Sequence, residues 1–458
     1  MNLIRVSAVV LAGGLLFSAF GVSAQILNEE TDFGLPQFYG RGKNVSVMER
    51  ERPDYQALGI DAVGFTFLPK VEIGTDYTDN LYAIARPTPG NPDPFMSPRS
   101  DIGFIVSPSI TAQSNWGRHS LTVYANLKDE TFADHPGEDQ QAWTVQANGR
   151  VDVHGDSYIN LGMDAEHDYV PRGSTNASTQ TATPEPYYTE GVYFRGLYGG
   201  DRVHATLDGD YRNFSYQDVE QLNPGAPETP IAENLQDFTQ GRIGGRVDYA
   251  LTPDEALFTM VRYSNGDYLN NYACFLISSV NECVIEPKRN YNEVDVKGGA
   301  NFDITALIRG EIGLGFVNRT YELGVYHGLS GLSASVKIEY FPTQLVTVTL
   351  TGQRLIQNAV DSTAGGYFEN VATLGADYEL RRNIILSAIG GVELDDFQGI
   401  VRSDTTSDFK LLGKYFVNRY VGLGATLDYT NRASSGPIAT RGPVYDETRL
   451  TFSLILQR

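Results

Sequence analysis

The chain has 458 residues, 41% of them hydrophobic, with 47 Gly and 27 Tyr, a size compatible with two or three ordinary domains or with one large barrel. Its formal charge of −21, from 56 acidic and 35 basic residues, argues against nucleic acid as a partner, because phosphate binding calls for a basic surface. After residue 25 no run of 18 apolar residues occurs, which excludes a membrane-spanning helix in the body of the chain but not membrane-spanning strands.

The N-terminus reads as a secretory signal peptide over residues 1–24. Arg5 supplies the positive start, Val6 to Phe20 the apolar stretch, and Val22-Ser23-Ala24 a small-residue cleavage site. These features fit a cleaved leader better than a membrane anchor. Loss of Arg5 takes the charge from −21 to −22. Residues 25–60 are irregular and polar, with the cluster Glu49-Arg50-Glu51-Arg52. They read as a periplasmic extension, and their composition favours a flexible linker over a plug folded into a barrel mouth.

From residue 61 onward the chain alternates. Leu121, Val123, Ala125 and Leu127 interleave with Thr122, Tyr124, Asn126 and Lys128, and Val203, Ala205, Leu207 and Tyr211 with His204, Asp208, Asp210 and Arg212. Ile243, Val247 and Tyr249 alternate with Arg242, Arg246 and Asp248. The longest run is Tyr291 to Ile304: Val294, Val296, Ala300 and Phe302 take one face, and Glu293, Asp295 and Lys297 the other. Ile312, Leu314 and Phe316, then Val336, Ile338 and Tyr340, continue the pattern towards Leu450, Phe452, Leu454 and Leu456. A period of two held this long gives strands about twice the usual length, as an outer-membrane barrel needs and a propeller blade does not. Tight turns near Trp116, His154, Gly199, Pro253, Asp303, Pro342, Arg381 and Asn418 alternate with polar loops near 86–100, 133–138, 171–186, 218–234, 267–288, 320–327, 357–365, 395–402 and 431–442. The fold predicted is therefore all-β: an antiparallel up-and-down transmembrane barrel of about 18 strands spanning 61–458, with both termini on the short-turn side.

Cys274 and Cys283 are the two cysteines. They fall in the fifth outer loop with no histidine beside them, so a disulfide is expected there rather than a metal site. The six histidines form no H-E-x-x-H motif, and no G-x-S-x-G elbow is present. Asp164, Glu166, His167 and Asp168 form the densest cluster of usable groups, but on a strand His167 points away from the three acids. Asp76 with Asp79, and Asp395 with Asp396, are placed where a divalent cation could bind, and exposed acids at a loop edge explain them equally well. No cofactor or metal is expected, nor enzymatic chemistry. The candidate pore lining is Arg202, Asp208, Asp210, Arg212, Arg242, Arg246, Asp248, Glu293, Asp295, Lys297, Arg309, Glu311, Lys337 and Glu339. These charges either cancel across strands or guide a hydrated polymer.

Glu51-Arg52-Pro53-Asp54-Tyr55, Leu58-Gly59-Ile60, Gly64-Phe65, Pro69, Tyr77-Thr78-Asp79-Asn80 and Tyr82, then Ser107-Pro108-Ser109, Trp116 and Arg118-His119, and later Asp395-Asp396-Phe397 and Arg449 to Arg458, together resemble the putative beta-barrel porin 2 family of Gram-negative outer-membrane proteins. The resemblance covers roughly residues 45 to 458. It implies a barrel associated with exopolysaccharide export, working with a periplasmic polysaccharide export protein, and inserted into outer-membrane lipid by the barrel assembly machinery. The terminal Leu456-Gln457-Arg458 departs from the aromatic ending common to such barrels. The function expected is a conduit for exopolysaccharide or capsular polysaccharide. A general diffusion porin, an outer-membrane hydrolase and a barrel acting through its outer loops are the alternatives.

Overall fold

The protein is described by a computed structural model over residues 45–86, 98–178, 181–221, 230–277, 280–304, 307–360, 363–437 and 440–458. The expected signal peptide and the extension up to residue 44 lie outside the described residues. Eighteen long strands follow in chain order. The first nine are β1 (Phe65–Thr78), β2 (Asp101–Ser114), β3 (Ser120–Phe132), β4 (Gln140–His154), β5 (Ser157–Val170), β6 (Glu185–Gly199), β7 (Val203–Tyr216), β8 (Phe238–Thr252) and β9 (Glu255–Tyr268). The second nine are β10 (Tyr291–Ile304), β11 (Ile308–Tyr321), β12 (Leu329–Thr343), β13 (Val346–Asn358), β14 (Gly366–Arg381), β15 (Ile384–Phe397), β16 (Ser403–Phe416), β17 (Val421–Ser435) and β18 (Tyr445–Gln457). Each pairs antiparallel with its neighbours in sequence, and β1 closes the ring on β18 from Lys70↔Gln457 to Thr78↔Arg449. Among the described residues the only helices are two short 3₁₀ turns in outer loops, so the strands do the crossing.

The faces follow from the alternation. On β10, Val294 and Val296 are 42% and 44% exposed on the outside, while Glu293 and Asp295 are 4% and 6% exposed on the inside. The register carries this parity across the sheet: Val296 sits opposite Phe316 and Val261, and Asp295 opposite Arg262. Apolar side chains thus meet lipid and polar ones face the lumen, while a closed ladder leaves no backbone edge to desolvate.

Two boundaries shift. Ile60–Ala62 folds back on β1 through the two-residue turn Val63-Gly64, both at positive φ (52° and 80°), so the barrel wall begins at Phe65 rather than residue 61. The turn expected at Pro342-Thr343 lies at Gln344-Leu345, because the β12–β13 ladder slips between Tyr340 and Thr343. That ladder also stops early at its outer end, at Ala334↔Arg354. There Arg354 donates Nε–H to the Leu332 carbonyl at 3.0 Å and Arg319 donates Nη2–H to the Ile356 carbonyl at 3.0 Å. Val317, Leu329, Ile356 and Phe368 fill the gap. In the fifth outer loop, Tyr272–Ile277 and Val280–Ile285 pair as a hairpin with Cys274 opposite Cys283, and the expected disulfide is formed.

Candidate functional site: the lumen and its two closures

The lumen wall from β7 to β12 is laced with ion pairs. Arg246 lies 2.7 Å from both Asp248 and Glu311, and Arg242 2.9 Å from Asp210. Lys297 meets Asp295 at 2.7 Å, Arg319 meets Glu293 at 2.7 Å, and Arg309 pairs with Glu339. Arg212 reaches Asp164 on β5 at 3.1 Å. Asp208 packs over Gly244, where a side chain would crowd its carboxylate. Of the fourteen expected lining residues, Lys337 is exposed in the lumen and Arg202 stands in the exposed turn before β7 rather than on the wall. The remaining twelve point inward with their strands. Arg319 belongs with them, as the alternation of β11 indicates: it shares the parity of Arg309 and Glu311.

The other acidic clusters separate. Asp164, Glu166 and Asp168 turn inward, while His167 turns outward and stacks on Tyr188 with ring centroids 4.3 Å apart. The imidazole therefore stands on the outer face, away from the three acids, and the base that reaches them is Arg212, at Asp164. Asp76 faces Arg449 at 3.4 Å whereas Asp79 is held by Arg86 at 2.7 Å. Asp396 points outward, and Asp395 instead meets Glu369 and Glu393, with ligand atoms within 4.8 Å of one another.

Near the outer mouth the loop at 171–178 crosses the lumen. Arg172 fixes its root on Glu138, with Nε 2.6 Å from Oε2. Gly173 passes so close to the Tyr445 ring that a Cβ there would collide with its hydroxyl. At the tip, the Thr175 hydroxyl donates to Asp395 on β15 and accepts from Arg432 Nη2 at 2.8 Å. β15 lies nine strands from β6 either way round the ring, so the loop bridges opposite walls. Beneath it, Ala177 packs on inward aromatics, among them the stacked Phe214–Phe238 pair at 4.4 Å and Tyr268. Ser178 then donates its hydroxyl to Glu233 at 2.5 Å. Burial and the neighbouring Asp218 push the Glu233 carboxyl up to about 7, against the hydrogen bond from Ser178. Asp237 is raised to about 6 by burial.

A second segment occupies the inner mouth. Arg50 Nη1 lies 2.7 Å from Glu379 Oε2, and Arg52 Nη2 3.5 Å from the same oxygen. Arg50 also donates to the Gln344 carbonyl, and the amide of wholly buried Val47 donates to Thr347 Oγ1 at 2.9 Å. Glu49 meets Arg309 at 3.0 Å, which holds its carboxyl below the usual value although burial acts against the charge. Gln457 donates to the Tyr55 carbonyl at 3.2 Å. Residues 45–58 are therefore seated on the inner ends of β11 to β18, a docking that polar composition did not reveal.

A closed, apolar-out barrel of eighteen strands with a charged lumen defines a porin-like channel of the outer membrane. The sequence matches the model of the family described as putative beta-barrel porin 2 over residues 52–458, and the chain belongs to that family. No curated protein matches it. Among solved structures it is similar to the siderophore receptor PirA from Acinetobacter baumannii, at 7% identity and TM-score 0.44, covering 86% of this chain and 80% of that one. It is also similar to OccAB3 of the same organism, at 13% identity and TM-score 0.44 over 86% and 99% of the two chains. The outer membrane protein opdK from Pseudomonas aeruginosa matches at 11% identity and TM-score 0.41, over 86% and 99%.

Proposed function

We propose that the chain is a gated outer-membrane conduit for secreted polysaccharide. The observation that carries this reading is the double closure: loop 171–178 spans the outer mouth and residues 45–58 sit on the inner one. A diffusion porin that stands open needs no seated inner segment. A conduit fed from the periplasm does, and a periplasmic polysaccharide export protein would meet that segment first. The polar wall suits sugar hydroxyls, which exchange many hydrogen bonds as they move, and the resemblance noted above supports the same cargo. The mature chain, with a leader removed after residue 24, would reach the membrane through the barrel assembly machinery. β18 would serve as its signal, with Phe452, Leu454 and Leu456 facing lipid.

Deleting the gene tests the reading. Surface polysaccharide should be lost while small-solute uptake stays normal. Normal polysaccharide with impaired uptake would instead establish a general diffusion porin, the reading favoured by the breadth of an eighteen-strand lumen.

A further inference from the structure

Two stretches of the lumen wall are electrostatically unequal. From β7 to β12 nearly every base described above has a carboxylate against it. From β14 to β16 the inward positions carry Glu369, Asp377, Glu379, Glu393, Asp395, Asp404 and Asp408, and the bases turned inward with them are Lys410 and Lys414. Lys410 is engaged by Asp428 on β17 at 2.8 Å, and Asp404 by Arg402 and Arg432, each at 2.7 Å. Asp377, Asp395 and Asp408 make no ion pair within 4 Å among the described residues, although Lys414 acts on Asp377, Lys410 on Asp408 and Arg432 on Asp395 at longer range: Asp377 accepts from Ser387, Asp395 from Thr175. Asp395 Oδ1 is buried without a hydrogen-bond donor. These acids run along the wall, from Glu379 and Asp377 near the inner mouth to Asp408 midway and then Asp395 and Glu369 near the outer one.

The inner end of this acidic wall already holds a cationic occupant. Arg50 and Arg52 reach it from the segment seated in the inner mouth and converge on one carboxylate oxygen of Glu379, which is 2% exposed. A basic pair from the chain's own extension thus takes the place a basic solute would take on entering from the periplasm.

We infer that the β14–β16 wall makes the channel select cationic, amine-bearing solutes, and that Arg50 and Arg52 are a tethered competitor for its inner end. A wall lined by one sign of charge concentrates ions of opposite sign and repels like-charged polymers. A polymer exported through this lumen would then carry free amines, and a polyanion would be turned away. The inference rests on the channel reading but not on polysaccharide as the cargo.

The test uses the full chain in planar bilayers under a tenfold KCl gradient, with penta-arginine added on the periplasmic side as probe. The reversal potential should have the sign for cations, penta-arginine should block the current, and the double variant Asp377→Asn, Asp408→Asn should move the potential toward zero and weaken block several-fold. An anion-directed or zero potential, or block unchanged in the variant, overturns the inference. Equilibrium binding of fluorescent penta-arginine to the detergent-solubilised chain gives a readout without current. Binding weakened several-fold by the same variant supports the acidic wall even where no current flows, a result that would sink the channel reading alone. Binding equal in both chains overturns it.

Discussion

Replacing Glu379 with Gln should unseat the inner segment. Glu379 is 2% exposed and faces Arg50 at 2.7 Å and Arg52 at 3.5 Å, the two guanidinium side chains being 22% and 8% exposed. Removing one partner of a buried ion pair costs about 3–5 kcal/mol, because the other charge stays desolvated. Arg50 reaches water at the rim, so the lower end applies, and about 3 kcal/mol changes the ratio of seated to unseated segment roughly 150-fold at 1.36 kcal/mol per decade. Val47 is wholly buried only while the segment is seated, and the chain has no free cysteine. Maleimide labelling of a Val47→Cys chain in membranes therefore reads the unseated fraction against a silent background. Adding Glu379→Gln should speed labelling by one to two orders of magnitude and raise conductance in parallel. Labelling at the same rate in both chains would refute the idea that this carboxylate holds the segment down.

Three further outcomes follow from the same geometry. Val296→Arg puts a charge on the lipid face near the middle of β10 and should cost about 2–4 kcal/mol, seen as a smaller folded fraction in heat-modifiability gels; Asn301→Arg, which brings a base beside Asp248, should cost clearly less. Arg246→Met strands the buried carboxylates of Asp248 and Glu311 and should lower unfolding stability in urea by about 3–5 kcal/mol, a loss that adding Glu311→Leu partly restores. Glu233, raised to about 7 by burial, favours the packed outer loop when protonated: its contribution is complete below its ordinary value near 4.5 and disappears as pH rises through about 7. Protection factors of amides in loop 171–178, with the base-catalysed rise in intrinsic exchange divided out, should accordingly be higher at pH 5 than at pH 8, and Glu233→Gln should remove most of that difference.

The barrel was legible because its physics is periodic. Lipid outside and water inside impose a period of two on every strand, so the parity of Val294 and Glu293 reported their faces without any knowledge of the neighbouring strands. The same rule could have assigned the inward aromatics: Tyr291 shares the parity of Glu293, and Phe238 that of Arg242. The closures were not legible. Thr175 is ordinary among the loop residues around it, and its importance comes from Asp395 and Arg432, more than two hundred residues away. Arg50 and Arg52 looked like a solvated cluster because their partner, Glu379, lies in another part of the chain. Arg202 was misplaced for a local reason: parity continues through a turn on paper, while the wall itself starts one residue later at Val203.

The seat of the inner segment also sets an order of events. Residues 45–58 precede the barrel strands in the chain, yet among the described residues the barrel groups that hold them lie between Arg309 and Gln457. They have no seat until the last strands have formed. The ring closes late too, since β1 waits for β18 across the ladder ending at Lys70↔Gln457. Gln457 takes part in both events, pairing with Lys70 and binding the Tyr55 carbonyl. A chain truncated just before Gln457 would lose a rung of the closing ladder and an anchor of the inner segment together, so a barrel left unfinished at its C-terminus is also left less securely shut.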